Sequence, residues 1–85
     1  MTSPSMALAL QTIAKSVAEI MPDIEALDVS LDSTLSNYGC NSIDRADIVW
    51  KTLEDLQLDI SPVEFTQVTD IRCFAELLCR HLDLR

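Results

Sequence analysis

Ser42 lies in the segment Gly39-Cys40-Asn41-Ser42-Ile43-Asp44, at the point where a long irregular stretch gives way to a periodic apolar pattern. Two kinds of chemistry suit a serine there. Asn41 or Ser42 can simply cap a helix, a side-chain oxygen accepting a backbone N–H of the first turn. Alternatively, the hydroxyl faces solvent and can be modified. A phosphodiester at such a position meets unpaired N–H groups and the positive end of the helix dipole. Asp44, within the first turn of the same helix, opposes the added charge somewhat. Because the site is exposed in either case, modification would change the fold little.

The other reactive side chains form no catalytic set. His81 is the only histidine and stands near the C-terminus, with no serine, cysteine and acid arranged around it for nucleophilic catalysis. Its expected role is structural or solvent-facing. Cys73, Cys79 and His81 are close in sequence, but paired zinc ligands usually have about two to four residues between them. On a helix Cys73 and Cys79 point about 120° apart. Asp28, Ser30, Asp32 and Thr34 copy the first ligand positions of a calcium loop, yet Ser33 replaces its glycine and Gly39 stands where its bidentate glutamate belongs. Neither a metal site nor a catalytic site is expected. Cys40 is expected to be a bystander, since a reactive thiolate needs electropositive neighbours and Asp44 is close by.

With 85 residues, residues 1–85 are expected to form one domain. Nearly half of them (48%) are hydrophobic, enough to build a core rather than a disordered tail. Leucine and alanine abound and there is a single glycine, which favours helices over turn-rich sheet. The net charge of −8 repels phosphate backbones, so nucleic acid is not an expected partner. It suits a partner with a basic docking patch, and it also serves solubility. An odd number of cysteines with no secretory signal pattern points to a reducing cytoplasm. The longest apolar run, residues 6–10, is too short to span a membrane.

Four helical segments position these residues. Ser3 as N-cap and Pro4 at the first position open helix one. Met6, Leu10, Ile13, Val17 and Ile20 make its apolar stripe, with Thr12, Lys15, Ser16 and Glu19 opposite. Pro22 stops it at Met21. A long connection over residues 23–41 follows, punctuated by Ile24, Leu27, Val29, Leu31 and Leu35, several of which should be buried across the bundle. Helix two is expected over residues 42–56. A short third helix starts at Ser61-Pro62-Val63-Glu64, with Ser61 capping and Glu64 placed for a capping box. The last begins near Thr69 or Asp70 and buries Ile71, Phe74, Ala75, Leu78 and Leu82, with Glu76 and Arg80 spaced to pair. The expected fold is therefore an all-α four-helix bundle with a short third helix and a long loop between the first two.

On a helical wheel Ile43, Ala46, Val49, Trp50, Leu53 and Leu56 share one face of helix two, and Asp44, Asp47, Lys51 and Asp55 the other. Ile48 projects into the middle of that charged face. A lone exposed hydrophobe is ordinary. Ringed by charges and starting one turn from Ser42, it also has the form of a docking anchor with a polar rim.

In this setting, the chain resembles the acyl and peptidyl carrier proteins, whose attachment motif Asp-Ser-Leu opens their second helix. Here it reads Asn41-Ser42-Ile43, and the likeness extends from the apolar first helix through Gly39, the amphipathic second helix, Ile60-Ser61-Pro62 and the closing helix. The resemblance implies a carrier rather than an enzyme. It implies that Ser42 receives 4′-phosphopantetheine from coenzyme A through a phosphopantetheinyl transferase. Acyl cargo is then held as a thioester, and helix two is presented to basic patches on partner enzymes. Asn41-Ser42-Ile43-Asp44-Arg45 and the stretch Leu53-Glu54-Asp55-Leu56-Gln57-Leu58 look like the freestanding donor carriers of polyketide β-branching cassettes in antibiotic biosynthesis. That likeness implies acetyl or malonyl cargo, delivery of acetyl to an enzyme similar to HMG-CoA synthase, and further dealings with an acyltransferase and a ketosynthase-like decarboxylase. It implies a monomeric carrier with no membrane partner. A general polyketide or fatty-acid carrier fits the same residues, and so does a non-covalent helical interaction module that uses Ser42 only as a cap.

Overall fold

The computed structural model of the chain describes residues 4–65, 68 and 70–84. Three α-helices carry it: α1 (Pro4–Ile20), α2 (Ser42–Asp55) and α3 (Ile71–Leu84). Three 3₁₀ turns lie between them: η1 (Ala26–Asp28), η2 (Leu35–Tyr38) and η3 (Pro62–Phe65). The segment expected as a short third helix is thus a single 3₁₀ turn among the described residues, and the α-helix count is three rather than four. Helix α1 starts at Pro4 and ends one residue before Met21, as Pro22 requires. The expected Ser3 cap lies outside the described residues.

The core forms where α1 packs on both α2 and α3. Ile13 and Val17 of α1, Val49 and Leu53 of α2, and Phe74 and Leu78 of α3 are buried in one cluster, with Leu10 packed against it. Helix α3 buries Ile71, Phe74, Ala75, Leu78 and Leu82, the face its spacing predicts. Asp70 caps this helix, accepting the Cys73 N–H at 2.6 Å, and that backbone hydrogen bond holds its carboxyl below the usual carboxylate range. The Glu76–Arg80 pair is not formed among the described ion pairs.

Helix α2 is rolled relative to its expected orientation. Ile48 is 0% exposed, whereas Ile43 and Trp50 are 71% and 60% exposed and Ala46 is also exposed. The buried arc runs through Ile48, Val49, Thr52, Leu53 and Leu56. The physical reason is a hydroxyl pair across the α1–α2 contact. Ser16 and Thr52 are both fully buried with their oxygens 3.0 Å apart, and Thr52 also donates to the Ile48 carbonyl at 2.7 Å. Thr12, likewise buried, donates to the Leu8 carbonyl. Hydroxyls satisfied in this way can occupy a core. Ser16 and Thr12 therefore face inward, against the expectation that they share the solvent side with Lys15 and Glu19.

The long connection buries Val29 and Leu35 and half-buries Ile24 and Leu31, while Leu27 is 95% exposed. It is tied down by the Tyr38 hydroxyl, which accepts the Ser30 N–H and donates to the Asp28 carbonyl. Its middle is stitched to α3: the Ile71 N–H donates to the Ser33 carbonyl at 2.9 Å, Thr34 bridges Asp70, and Arg72 pairs with Asp32 at 2.9 Å. Beyond α2, Gln57 adopts a left-handed φ of 56° so that the Leu58 and Gln57 N–H groups can close on the Leu53 and Glu54 carbonyls. Among the described residues no helix is long and apolar enough to cross a membrane.

Candidate functional site

Thr34 caps η2, its hydroxyl accepting the Asn37 N–H at 3.1 Å. Gly39 ends that turn at φ 82°, a left-handed conformation that favours glycine. This reversal is followed by Cys40, buried in the core cluster, and by Asn41 at the start of α2. Asn41, not Ser42, is the cap: its side-chain oxygen accepts the Asp44 N–H at 2.8 Å, and the Asp44 carboxylate accepts the Asn41 N–H at 3.2 Å. Ser42 is therefore the first helical residue, exposed, with no hydrogen bond to its hydroxyl among the described residues. Its oxygen is available for chemistry, and a phosphodiester on it would stand at the positive end of α2.

Beside Ser42 opens a pocket of about 320 Å³, lined from α2 by Ser42, Arg45, Ala46 and Val49. Pro62, Val63 and Phe65 of η3 form the opposing wall, with Leu35, Val68 and Phe74 also lining it. A second hollow of about 340 Å³ follows the C-terminal half of α2, lined by Trp50, Leu53, Glu54, Leu58, Asp59, Ile60 and Pro62. Pro62 borders both; the first, largely apolar, forms a trough between α2 and η3 beside Ser42. Room for a flexible arm therefore adjoins the free hydroxyl, and the residues present fit a phosphopantetheine anchored at Ser42.

The residues expected on a docking face do not stay together. Asp44 is half-buried and held in the capping box. Asp47 is exposed. Lys51 pairs with Glu19 of α1, and their hydrogen bond raises the lysine's pKa and lowers the carboxylate's. Asp55 lies 3.8 Å from Lys15, also of α1. Ile48, expected as the anchor at the centre of the face, is enclosed between α2 and the core and cannot meet a partner. The exposed apolar residues of α2 are instead Ile43, Ala46 and Trp50, at helical spacing on one stripe. The helical wheel groups all three with Val49, Leu53 and Leu56 on one face, and the neighbouring Asp47 and Glu54 mark where that face meets solvent.

Cys40 is buried, and burial pushes its thiol up, with Asp44 adding to the shift and Arg45 opposing it. A thiol held protonated in this way is a poor nucleophile. Cys73 is exposed, but its hydrogen bond with Asp70 raises its pKa too. The His81 Nε2 lies 3.8 Å from the Glu64 carboxylate, and the imidazole leans on the Phe65 ring at 6.5 Å between centroids. Ser61 caps η3 through the Val63 N–H, while Glu64 turns to His81 instead of closing a capping box. No group of residues able to hold a metal ion occurs among the described residues. Asp32 and Thr34 of the calcium-like stretch are engaged with Arg72 and Asn37.

The sequence model of the phosphopantetheine attachment site family matches residues 9–78. The chain is 31% identical over 68 residues to the polyketide biosynthesis acyl-carrier-protein AcpK of Bacillus subtilis (strain 168), covering 80% of this chain and 83% of that one. No solved structure matches it. An exposed, uncapped serine heading a helix beside an apolar trough, the family match over most of the length and the likeness to a curated carrier agree: the chain belongs to the acyl carrier family that bears 4′-phosphopantetheine, and it is a carrier rather than an enzyme.

Proposed function

We propose that residues 1–85 make up one carrier domain of polyketide biosynthesis, loaded at Ser42 and delivering acetyl to an HMG-CoA synthase-like enzyme for β-branching. The observation that carries the attachment site is the division of labour at the start of α2. Asn41 supplies the cap, so the Ser42 hydroxyl is left exposed and unbonded. In loading, the Ser42 oxygen takes the phosphopantetheinyl group from coenzyme A, adenosine 3′,5′-bisphosphate leaves, and the serine proton passes to the transferase. The arm's thiol then carries acyl groups as thioesters, and the protein contributes position and identity rather than chemistry. The pathway reading is supported by the polyketide biosynthesis carrier to which the chain is similar, and the donor role by the run Asn41-Ser42-Ile43-Asp44-Arg45. An acyltransferase and a ketosynthase-like decarboxylase complete the proposed set of partners.

Docking is proposed to use the solvent side of α2. Asp47, with Asp44 beside it, gives an acidic rim, and Ile43 and Trp50 give exposed anchors of the type that carries binding energy. Lys51 and Asp55 border this surface on the α1 side through their pairs with Glu19 and Lys15.

Intact mass after incubation with coenzyme A and a broad-specificity phosphopantetheinyl transferase tests the attachment. Wild type should gain one phosphopantetheine and Ser42→Ala none. A Ser42→Ala protein that still gains the mass would move the site elsewhere, and a wild type that never gains it would leave a non-covalent helical module. Acetyl loss from the loaded protein to a β-branching synthase, absent with an unrelated condensing enzyme, tests the donor role.

A further inference from the structure

Among the described residues, Arg45 is the only charged one lining the pocket that opens beside Ser42. It is half-buried, and no carboxylate lies within ion-pair distance of it among the described residues. In so acidic a chain an unclaimed guanidinium against an apolar hollow requires a reason. Position on the helix supplies part of it. The helical neighbours of Arg45 at three and four residues are Asn41, Ser42, Ile48 and Val49, none of them acidic. The adjacent Asp44 turns its carboxylate back onto the Asn41 N–H, and Glu64 of η3, outside the pocket lining, lies by His81. The nearest anion that this face can acquire is a phosphodiester attached to Ser42, one turn below on the same side of α2.

We infer that Arg45 is the counter-ion of the Ser42 phosphodiester, a positioning residue that draws the root of the arm toward the trough between α2 and η3. The inference rests on the Ser42 reading above. A guanidinium forms short charge-assisted hydrogen bonds with phosphate oxygens. The pair forms at a helix N-terminus that already favours the anion. It also offsets the repulsion between the phosphodiester and Asp44. Asn41 matters here as well, because it caps without adding a carboxylate four residues before Arg45. A cargo carboxylate, as on malonyl, is the competing anion. It sits at the far end of a long arm, whereas the phosphodiester is bonded to the neighbouring residue.

The test compares apo and loaded protein, with mass spectrometry confirming one phosphopantetheine in every loaded sample and circular dichroism confirming the fold. In ¹⁵N-labelled wild type, loading should shift the Arg45 Nε–H resonance and raise its heteronuclear NOE, and the ³¹P line should be broad. Arg45→Gln should narrow the ³¹P line. Arg45→Lys, which keeps the charge without the planar fork, should narrow it partly. Asn41→Asp, which retains a capping oxygen, should weaken the Arg45 response by offering it a competing carboxylate. At roughly 1 M salt, where the screening length is ~3 Å, the responses should shrink but persist in part, because the groups are held in contact. An Arg45 resonance unchanged by loading, with equal ³¹P line widths in wild type and Arg45→Gln, overturns the inference while leaving Ser42 as the site. A response seen only with malonyl cargo also overturns it and places Arg45 on the cargo carboxylate. Failure to gain mass at Ser42 instead removes the reading on which it stands.

Discussion

Because Asn41 holds the cap, removing the Ser42 hydroxyl takes no hydrogen bond away from the first turn of α2. The two adjacent residues should therefore separate cleanly in a mutational test. Asn41→Ala loses one partner of a reciprocal capping box and should cost about 1 kcal/mol in denaturant unfolding. Ser42→Ala should change stability by no more than about 0.5 kcal/mol, as for other exposed positions. The reverse order would make Ser42 the cap and remove the argument that its oxygen is free. The sequence placed both residues at the start of a helix but left the cap open between them, since asparagine and serine cap almost equally well. Only the geometry, with the Asp44 N–H directed at the Asn41 side chain, decides it. Arg45 was legible as part of a motif and not as a site residue, because its lack of a partner depends on where Asp44 and Glu64 turn.

At the scale of elements, α3 and α2 show why one helical face could be read and the other could not. Every buried residue of α3 is apolar and repeats at helical spacing, so the pattern and the burial coincide. In α2 the core takes in Thr52, whose hydroxyl is satisfied by Ser16 and the Ile48 carbonyl, while Ile43 and Trp50 are left outside. A hydrophobic pattern counts hydroxyls as polar and cannot see a partner on another helix. This swings the apparent face toward Trp50, about 160° from Ile48 on the helix. Likewise Ser61-Pro62 reads as a helix start, but the described residues there form only the 3₁₀ turn η3. The roll of α2 has an energetic signature. Ile48→Ala should cost about 2–5 kcal/mol, the range for a buried isoleucine, and Trp50→Ala no more than about 0.5 kcal/mol. Chemical denaturation of both variants measures this directly, and a more damaging Trp50→Ala would return α2 to the orientation expected from its wheel.

Over the whole molecule, an acidic surface and a free helix face become one argument about encounter. A net charge of −8 suits long-range steering toward a basic partner, and the screening length of about 10 Å at 0.1 M salt limits that reach. Charges at the rim of a contact act mainly on the association rate, whereas buried apolar anchors act mainly on dissociation. Asp44 is a poor probe of this, since its carboxylate also holds the capping box. Lys51 and Asp55 are poor probes as well, because each is paired with α1. Asp47 is exposed and forms no ion pair among the described residues, so a substitution there changes the field with little effect on the fold. Asp47→Lys should slow acetyl delivery to the proposed synthase-like partner, with the deficit largest at low salt and shrinking as salt rises. Trp50→Ala should leave the association rate nearly unchanged and speed dissociation, weakening the complex by about 1 kcal/mol or more. Stopped-flow measurements on fully loaded proteins at several salt concentrations separate the two effects. Loading must be confirmed first, since on the proposed reading the transferase acts at Ser42 of the same helix. Wild-type rates for both variants at every salt concentration would make this side of α2 mere solvent surface and send the search for the docking site to η3 and its exposed Val63.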